Sequence, residues 1–259
     1  KVFEKEGFNV LITQSGESAE IELKNLHLLE NSMVEGIILS VTEKGRNDEY
    51  YRRLIDNGIP IVFFNRPSNE VEASKVVIDD FRMAFFAVEH VLYANGTKRT
   101  RPLHLMGPKG IFNSATRYQG YKDALCKHGI APAPDTFIQC KGITRECGFE
   151  TMNMILDGDR IPDAVFCFND LMAIGALRAC AERGVRVPED VAVAGFDDSL
   201  EGRYTTPSLT SVTPDMDFLV DSVLRLLTRR IQSPGTPGEQ VRVPWALVLR
   251  ESTLGRPAS

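Results

Sequence analysis

The stretch Asp163-Ala-Val-Phe-Cys-Phe-Asn169-Asp170-Leu-Met-Ala-Ile-Gly-Ala-Leu-Arg178, which leads on to Asp190-Val-Ala-Val-Ala-Gly-Phe-Asp197-Asp198, decides the fold. Two short apolar runs, residues 164–168 and 191–196, each stop at polar residues. A run that is apolar on both faces suits a strand buried in a parallel sheet. Between them lies an amphipathic segment of about fifteen residues, an ordinary helix length. The unit is therefore β-α-β, with Asn169 and Asp197 just past the carboxyl ends of its strands. In open α/β sheets that edge is where ligands bind.

Working outward, the same alternation continues on the amino-terminal side. Residues 8–13 are strand-like, and 18–31 carry apolar residues at helical spacing, with Glu17 and Glu20 where the helix dipole favours acids. Residues 36–40 form a second strand, 48–57 a helix closed by Gly58, 60–65 a third strand, 75–79 a short fourth and 81–94 a helix. The pattern restarts with a strand at 101–106, a helix at 116–128, a strand at 136–139 and a helix at 145–156. Beyond the opening stretch the alternation breaks. A short strand at 208–212, a long amphipathic helix at 215–231, a turn-rich loop at 233–238 and an extended segment at 241–249 follow. The expected class is α/β: two similar lobes, each a parallel sheet flanked by helices, with a cleft between them.

Composition narrows the function. At 259 residues the chain is long enough for two lobes of ordinary size. Its net charge of −5 argues against nucleic-acid binding by this chain itself, because phosphate contacts need a basic patch. No apolar run approaches the roughly 18 residues of a membrane span. The cysteines Cys126, Cys140, Cys147, Cys167 and Cys180 are odd in number and form no Cys-x-x-Cys pair, which points to reduced thiols in the cytoplasm. His27, His90, His104 and His128 are scattered without metal-ligand spacing. There is no Gly-x-Ser-x-Gly elbow and no Gly-x-x-x-x-Gly-Lys phosphate loop. Neither metal, cofactor nor catalytic set is expected. The opening residues, 1–7, read as the tail of an amphipathic helix, so an upstream segment is expected.

Taken in order, several segments resemble the effector-binding core of lactose-repressor-type (LacI/GalR) transcription regulators. They are Gly36-Ile-Ile-Leu, Arg117-Tyr-Gln-Gly120-Tyr, Asn169-Asp170-Leu-Met-Ala-Ile-Gly-Ala, Val187-Pro-Glu-Asp190, Gly195-Phe-Asp-Asp198, Leu209-Thr-Ser-Val212 and Leu249-Arg-Glu-Ser-Thr253. The resemblance covers nearly the whole chain. It implies a type I periplasmic-binding-protein-like core with a small effector, a sugar first among the candidates, in the interlobe cleft. It further implies a homodimer, and operator DNA bound by an N-terminal helix-turn-helix headpiece that this chain lacks. The lobes would be residues 1–98 plus 215–233, and 100–213 plus 241–259. An exported sugar-binding protein of a transport system shares the fold and is the alternative; a two-lobed sugar-converting enzyme is more remote.

The resemblance also implies the site. Ser40 and Asn65 would contact effector from the first lobe, and Asn113, Arg117, Ile143, Asn169 and Asp197 from the second. Asn169 equally suits the N-cap of the following helix. The guanidinium of Arg117 offers up to five donors, enough for two hydroxyls or a carboxylate. Asn113 is either a helix cap or a contact. Ile143 stands where some relatives place an aromatic residue on a sugar face, with core packing as the other reading. Pro214 and Met216 would shape the cleft, Asp170 would serve the helix start or the hinge, and Asp198 would face backbone.

Overall fold

The computed structural model describes residues 7–255. In chain order the first elements are α1 (Ala19–Asn31), β1 (Ile37–Leu39), α2 (Asp48–Asp56), β2 (Ile61–Phe64), β3 (Ser74–Val77) and α3 (Asp80–Leu92). Then come β4 (Pro102–Met106), α4 (Ser114–Lys127), β5 (Phe137–Gln139), α5 (Arg145–Leu156), β6 (Ala164–Cys167), α6 (Asp170–Glu182) and β7 (Ala192–Phe196). The last are α7 (Leu200–Arg203), β8 (Thr210–Pro214), α8 (Met216–Gln232), β9 (Gln240–Arg242), β10 (Trp245–Val248) and α9 (Glu251–Leu254). They form two compact units. The first runs to Asp79 and resumes over Asp215–Pro244; the second comprises Asp80–Pro214 and the residues from Trp245.

In the first unit four parallel strands lie in the order β1-β2-β3-β9. Alternate residues of a strand point to opposite faces, and β2 shows the consequence. Ile61 and Phe63 pack with Leu26 of α1 and with Tyr51 and Leu54 of α2. Val62 faces the other way, onto Leu219, Val223, Leu226 and Leu227 of α8. The Ser18 hydroxyl starts α1 by accepting from the Ile21 N–H at 3.3 Å.

The second unit has six strands in the order β10-β8-β7-β6-β4-β5, parallel except for β10, which runs antiparallel to β8. Val165 and Cys167 of β6 face a core shared with Met152 of α5 and Met172, Ala173 and Ala176 of α6. On the other face Phe166 stacks on His104, which stacks in turn on Tyr121 of α4. Glycines let the helices touch backbone to backbone. A Cβ on Gly120 of α4 would lie 2.4 Å from the Phe81 carbonyl of α3, and one on Gly175 of α6 would lie 2.1 Å from the Arg145 carbonyl of α5.

Several sequence expectations need correction. Residues 8–13 are not a strand: Val10, Leu11 and Ile12 lie outside any ladder, and Ile12 is 87% exposed. A strand requires a neighbour to bond its N–H and C=O groups, and among the described residues β1 pairs with β2 alone. The first unit does not extend to residue 98. It ends at Asp79, because α3 turns its buried Met83, Ala84, Ala87 and Val88 toward α4 and the sheet of the second unit. The extended segment at 241–249 is two strands: β9 joins the first unit beside β3, and β10 joins the second beside β8, with the change after Pro244. The strand expected at 208–212 lies at Thr210–Pro214, drawn onward by pairing that reaches Trp245 opposite Pro214. The expectation for residues 1–6 lies outside the described residues.

Candidate functional site

The polar residues of the second unit gather where β6 and β7 end and α4 begins. Arg117 sits in the first turn of α4 and is 6% exposed. Its Nε donates to Asp80 Oδ1 at 2.7 Å, and its Nη1 donates to the Phe168 carbonyl at 2.5 Å. The guanidinium lies over the Phe196 ring at 3.4 Å and near the Phe168 ring at 4.6 Å. These contacts fix its plane and leave Nη2 toward Asp197, 3.7 Å from Oδ1. Phe168 directly follows β6 and Phe196 closes β7, each immediately before a polar residue, so one repeated pattern supplies both the aromatic wall and the polar group.

Asp197 follows β7 with φ +99°, and Asp198 follows with φ +51°, two successive residues in the left-handed region. The Asp197 side chain is 55% accessible, so its carboxylate is open on one side. The protein packed around the other side raises its pKa above the ordinary carboxylate value; Arg117 opposes this rise and Asp80 adds to it. Asp198 behaves differently from expectation. Its carboxylate is buried and accepts from Arg250 at 2.6 Å and Arg203 at 2.7 Å, and so faces side chains.

Asn169 caps α6: its Oδ1 accepts from the Met172 N–H at 3.0 Å. Its Nδ2 donates to the Ile143 carbonyl at 3.0 Å. One N–H and one lone pair of the amide remain for other partners. Ile143 itself is half-buried, with its side chain packed against the core of the unit. Asn113 is buried at the N-cap position of α4 without a side-chain cap bond; its carbonyl accepts from the Arg117 N–H at 2.9 Å. Asp170, in the first turn of α6, is 2% exposed, and burial pushes its pKa up to about 6.

In the first unit, Ser40 and Asn65 follow β1 and β2 at the same carboxyl edge, both half-buried. Asn65 has φ +58°, and its N–H donates to the Val76 carbonyl at 2.9 Å. The loop after Ser40 is held by a buried carboxylate on α1. Glu22 accepts from the N–H and hydroxyl of Thr42 at 2.8 and 2.9 Å, from Asn47 at 2.8 Å and from the Tyr51 hydroxyl. Pro214 ends β8, and Met216 opens α8 with 54% of its surface exposed.

Sequence reasoning missed Asp80, Phe168 and Phe196. The repeated Phe-Asn and Phe-Asp endings would have pointed to the aromatic pair. Asp80 at the start of a helix that follows a strand repeats the Asn169 pattern and was the available signal. The arrangement offers a donor at Arg117 Nη2 beside an acceptor at Asp197. The buried thiols are poor nucleophiles: burial pushes Cys140 up to about 11 and Cys180 up to about 12, and raises Cys167 as well. Among the described residues no group of His, Cys, Asp and Glu could hold a metal ion, and no helix is long and apolar enough to cross a membrane.

Parallel sheets flanked by helices, with polar side chains at the carboxyl strand ends, fit the class of periplasmic-binding-protein-like domains. A periplasmic binding protein-like domain is matched over residues 90–253. Catabolite control protein A of Priestia megaterium is 30% identical over 252 residues, covering 95% of this chain and 73% of that protein. The HTH-type transcriptional repressor PurR of Histophilus somni is 28% identical over 248 residues, covering 96% and 73%. The crystal structure of a sugar-binding transcriptional regulator (LacI family) from Escherichia coli, complexed with phosphate, superposes with a TM-score of 0.80 at 29% identity, covering 98% of this chain and 90% of that one. The chain belongs to the LacI family of transcription regulators and corresponds to their effector-binding core.

Proposed function

We propose that this chain senses a neutral polyhydroxylated molecule, a sugar, and that binding controls operator DNA through a helix-turn-helix portion of the same regulator. The carrying observation is the charge balance around Arg117. One guanidinium faces two carboxylates, Asp80 at 2.7 Å and Asp197 at 3.7 Å. Asp80 takes up the guanidinium at the shorter distance, so a carboxylate or phosphate effector would meet the open carboxylate of Asp197. A hydroxyl group accepts from Arg117 Nη2 and donates to Asp197, matching both neighbours at once. The complex of the transcriptional regulator CelR with cellobiose, 29% identical to this chain with a TM-score of 0.83, supports the reading by its likeness.

Arg117 and Asp197 are the proposed central contacts. Asn169 contributes its remaining N–H, and Asn113, Ile143, Ser40 and Asn65 are further proposed contacts. The regulator is read as a homodimer in the cytoplasm; the transcription-regulator relatives and five free cysteines support the cytoplasmic part. The effector shifts DNA affinity only as far as it binds one conformation better than another. A repressor-type relative favours this reading over an exported transport protein.

A thermal-shift screen over neutral sugars, their sugar acids and their phosphates tests the proposal. A true effector at about 100 times its Kd stabilises by about 2.7 kcal/mol. Stabilisation by a neutral sugar is expected. Stabilisation confined to acids or phosphates overturns it.

A further inference from the structure

We propose that Asp170 is the positioning residue of the candidate site: through Ser211 and the Ser199 N–H it fixes the left-handed Asp197–Asp198 step that sets the Asp197 carboxylate beside Arg117. The inference rests on the reading of Asp197 as an effector contact and adds the device that holds it there.

Asp170 stands where a carboxylate ordinarily serves its own helix, in the first turn of α6. Its hydrogen bonds go elsewhere. Oδ2 accepts from the Ser199 N–H at 2.6 Å, and Oδ1 accepts from the Ser211 hydroxyl at 2.6 Å. The same Ser211 oxygen accepts from the Asp198 N–H at 3.0 Å, while the Asp197 N–H donates to the Val212 carbonyl at 2.8 Å. Three consecutive amides after β7 are thus anchored on β8 and Asp170, and two of them trace to one carboxylate.

Two further observations fit. Successive non-glycine residues at positive φ persist only where the surroundings over-determine them, and this network is such a surrounding. Gly195 of β7 makes room for the carboxylate: a Cβ there would lie 2.1 Å from Asp170 Oδ1. The glycine one residue before Phe196 and the aspartate one residue after Asn169 are therefore two halves of one device. Asp198 pins the loop from its other side through Arg203 and Arg250.

The test uses the full chain without ligand. Amide hydrogen exchange at Asp198 and Ser199 and the carboxyl titration of Asp197 are followed by NMR in wild type, Asp170→Asn, Ser211→Ala and Met152→Ala. The last is a core variant of the same unit that controls for general destabilisation. Asp170→Asn is expected to speed exchange at Asp198, which Asp170 does not touch, by about tenfold or more over the control, since losing an anchoring bond opens the segment locally. It is also expected to move the Asp197 titration. Ser211→Ala keeps the carboxylate and removes only the relay, so it reports even where Asp170→Asn folds poorly; it is expected to speed exchange at Ser199 as well. Exchange and titration that change no more than in Met152→Ala overturn the proposal. Because no readout uses a sugar, failure of the sugar reading leaves this result standing, and the reverse also holds.

Discussion

The closest carboxylate partner of Arg117 is Asp80, at 2.7 Å, and the exposed carboxylate of Asp197 stands farther off at 3.7 Å. Arg117 therefore does two jobs. It neutralises a buried acid at the start of α3, and it presents one remaining nitrogen to the site.

That division separates two variants. Arg117→Ala leaves Asp80 buried without its cation, a change that costs about 3–5 kcal/mol. Asp197→Asn alters a side chain open to solvent and should change stability by less than about 1 kcal/mol. Urea unfolding of both variants checks the contrast. Equal losses would show that Asp197 is as much a structural partner as Asp80.

His104 and Asp170 should oppose each other between about pH 4 and pH 6. Burial lowers His104 to about 4 and raises Asp170 to about 6 from an ordinary value of 3.8. In that window the unfolded chain protonates His104 while the folded chain does not, so this contribution to stability falls as pH drops. The folded chain keeps a proton on Asp170 that the unfolded chain releases, so that contribution falls as pH rises. Each amounts to on the order of 3 kcal/mol, and they largely cancel.

Single variants should unmask each contribution. His104→Phe keeps an aromatic ring between Tyr121 and Phe166 and should become less stable as pH rises from about 4 to 6. Asp170→Asn should become more stable over the same range. Denaturant midpoints across that range decide; parallel profiles for the two variants would refute the assignment.

Gly120→Ala should destabilise the second unit. The added Cβ meets the Phe81 carbonyl at 2.4 Å and the Phe85 nitrogen at 3.0 Å, both of them backbone atoms. Overpacking of this kind costs about 1–3 kcal/mol. Gly58→Ala meets nothing within 4 Å and is strained only by its φ of +88°, which makes it the control for backbone strain without contact. A thermal melt in which Gly120→Ala is unchanged would mean that α3 and α4 can separate freely.

Much of this architecture is legible along the chain, because strands apolar on both faces and helices with one apolar stripe carry their period locally. Asn169 and Asp197 could be placed at strand ends from the ends of two apolar runs alone. What was not legible depends on packing. Residues 8–13 have strand composition, but composition does not supply the neighbour that a ladder requires. The stripe of α3 would suit either unit, and its packing against Gly120 of α4 and the sheet of the second unit assigns it there. The bond from Arg117 to Asp80 joins residues 37 apart and follows from that same fit. Asp170 looked like a helix-start residue because its true partners, Ser199 and Ser211, are 29 and 41 residues away.

Titration calorimetry on wild type and Asp197→Asn tests the central claim most directly, using the neutral sugar that gives the largest thermal shift and its sugar acid. A hydrogen bond to a charged group contributes about 1.5–3 kcal/mol, so Asp197→Asn should weaken the neutral sugar by about tenfold or more. The acid should bind wild type more weakly than the sugar, and the gap should narrow in Asp197→Asn. Unchanged sugar affinity in the variant, or an acid that binds wild type more tightly than the sugar, would contradict the account.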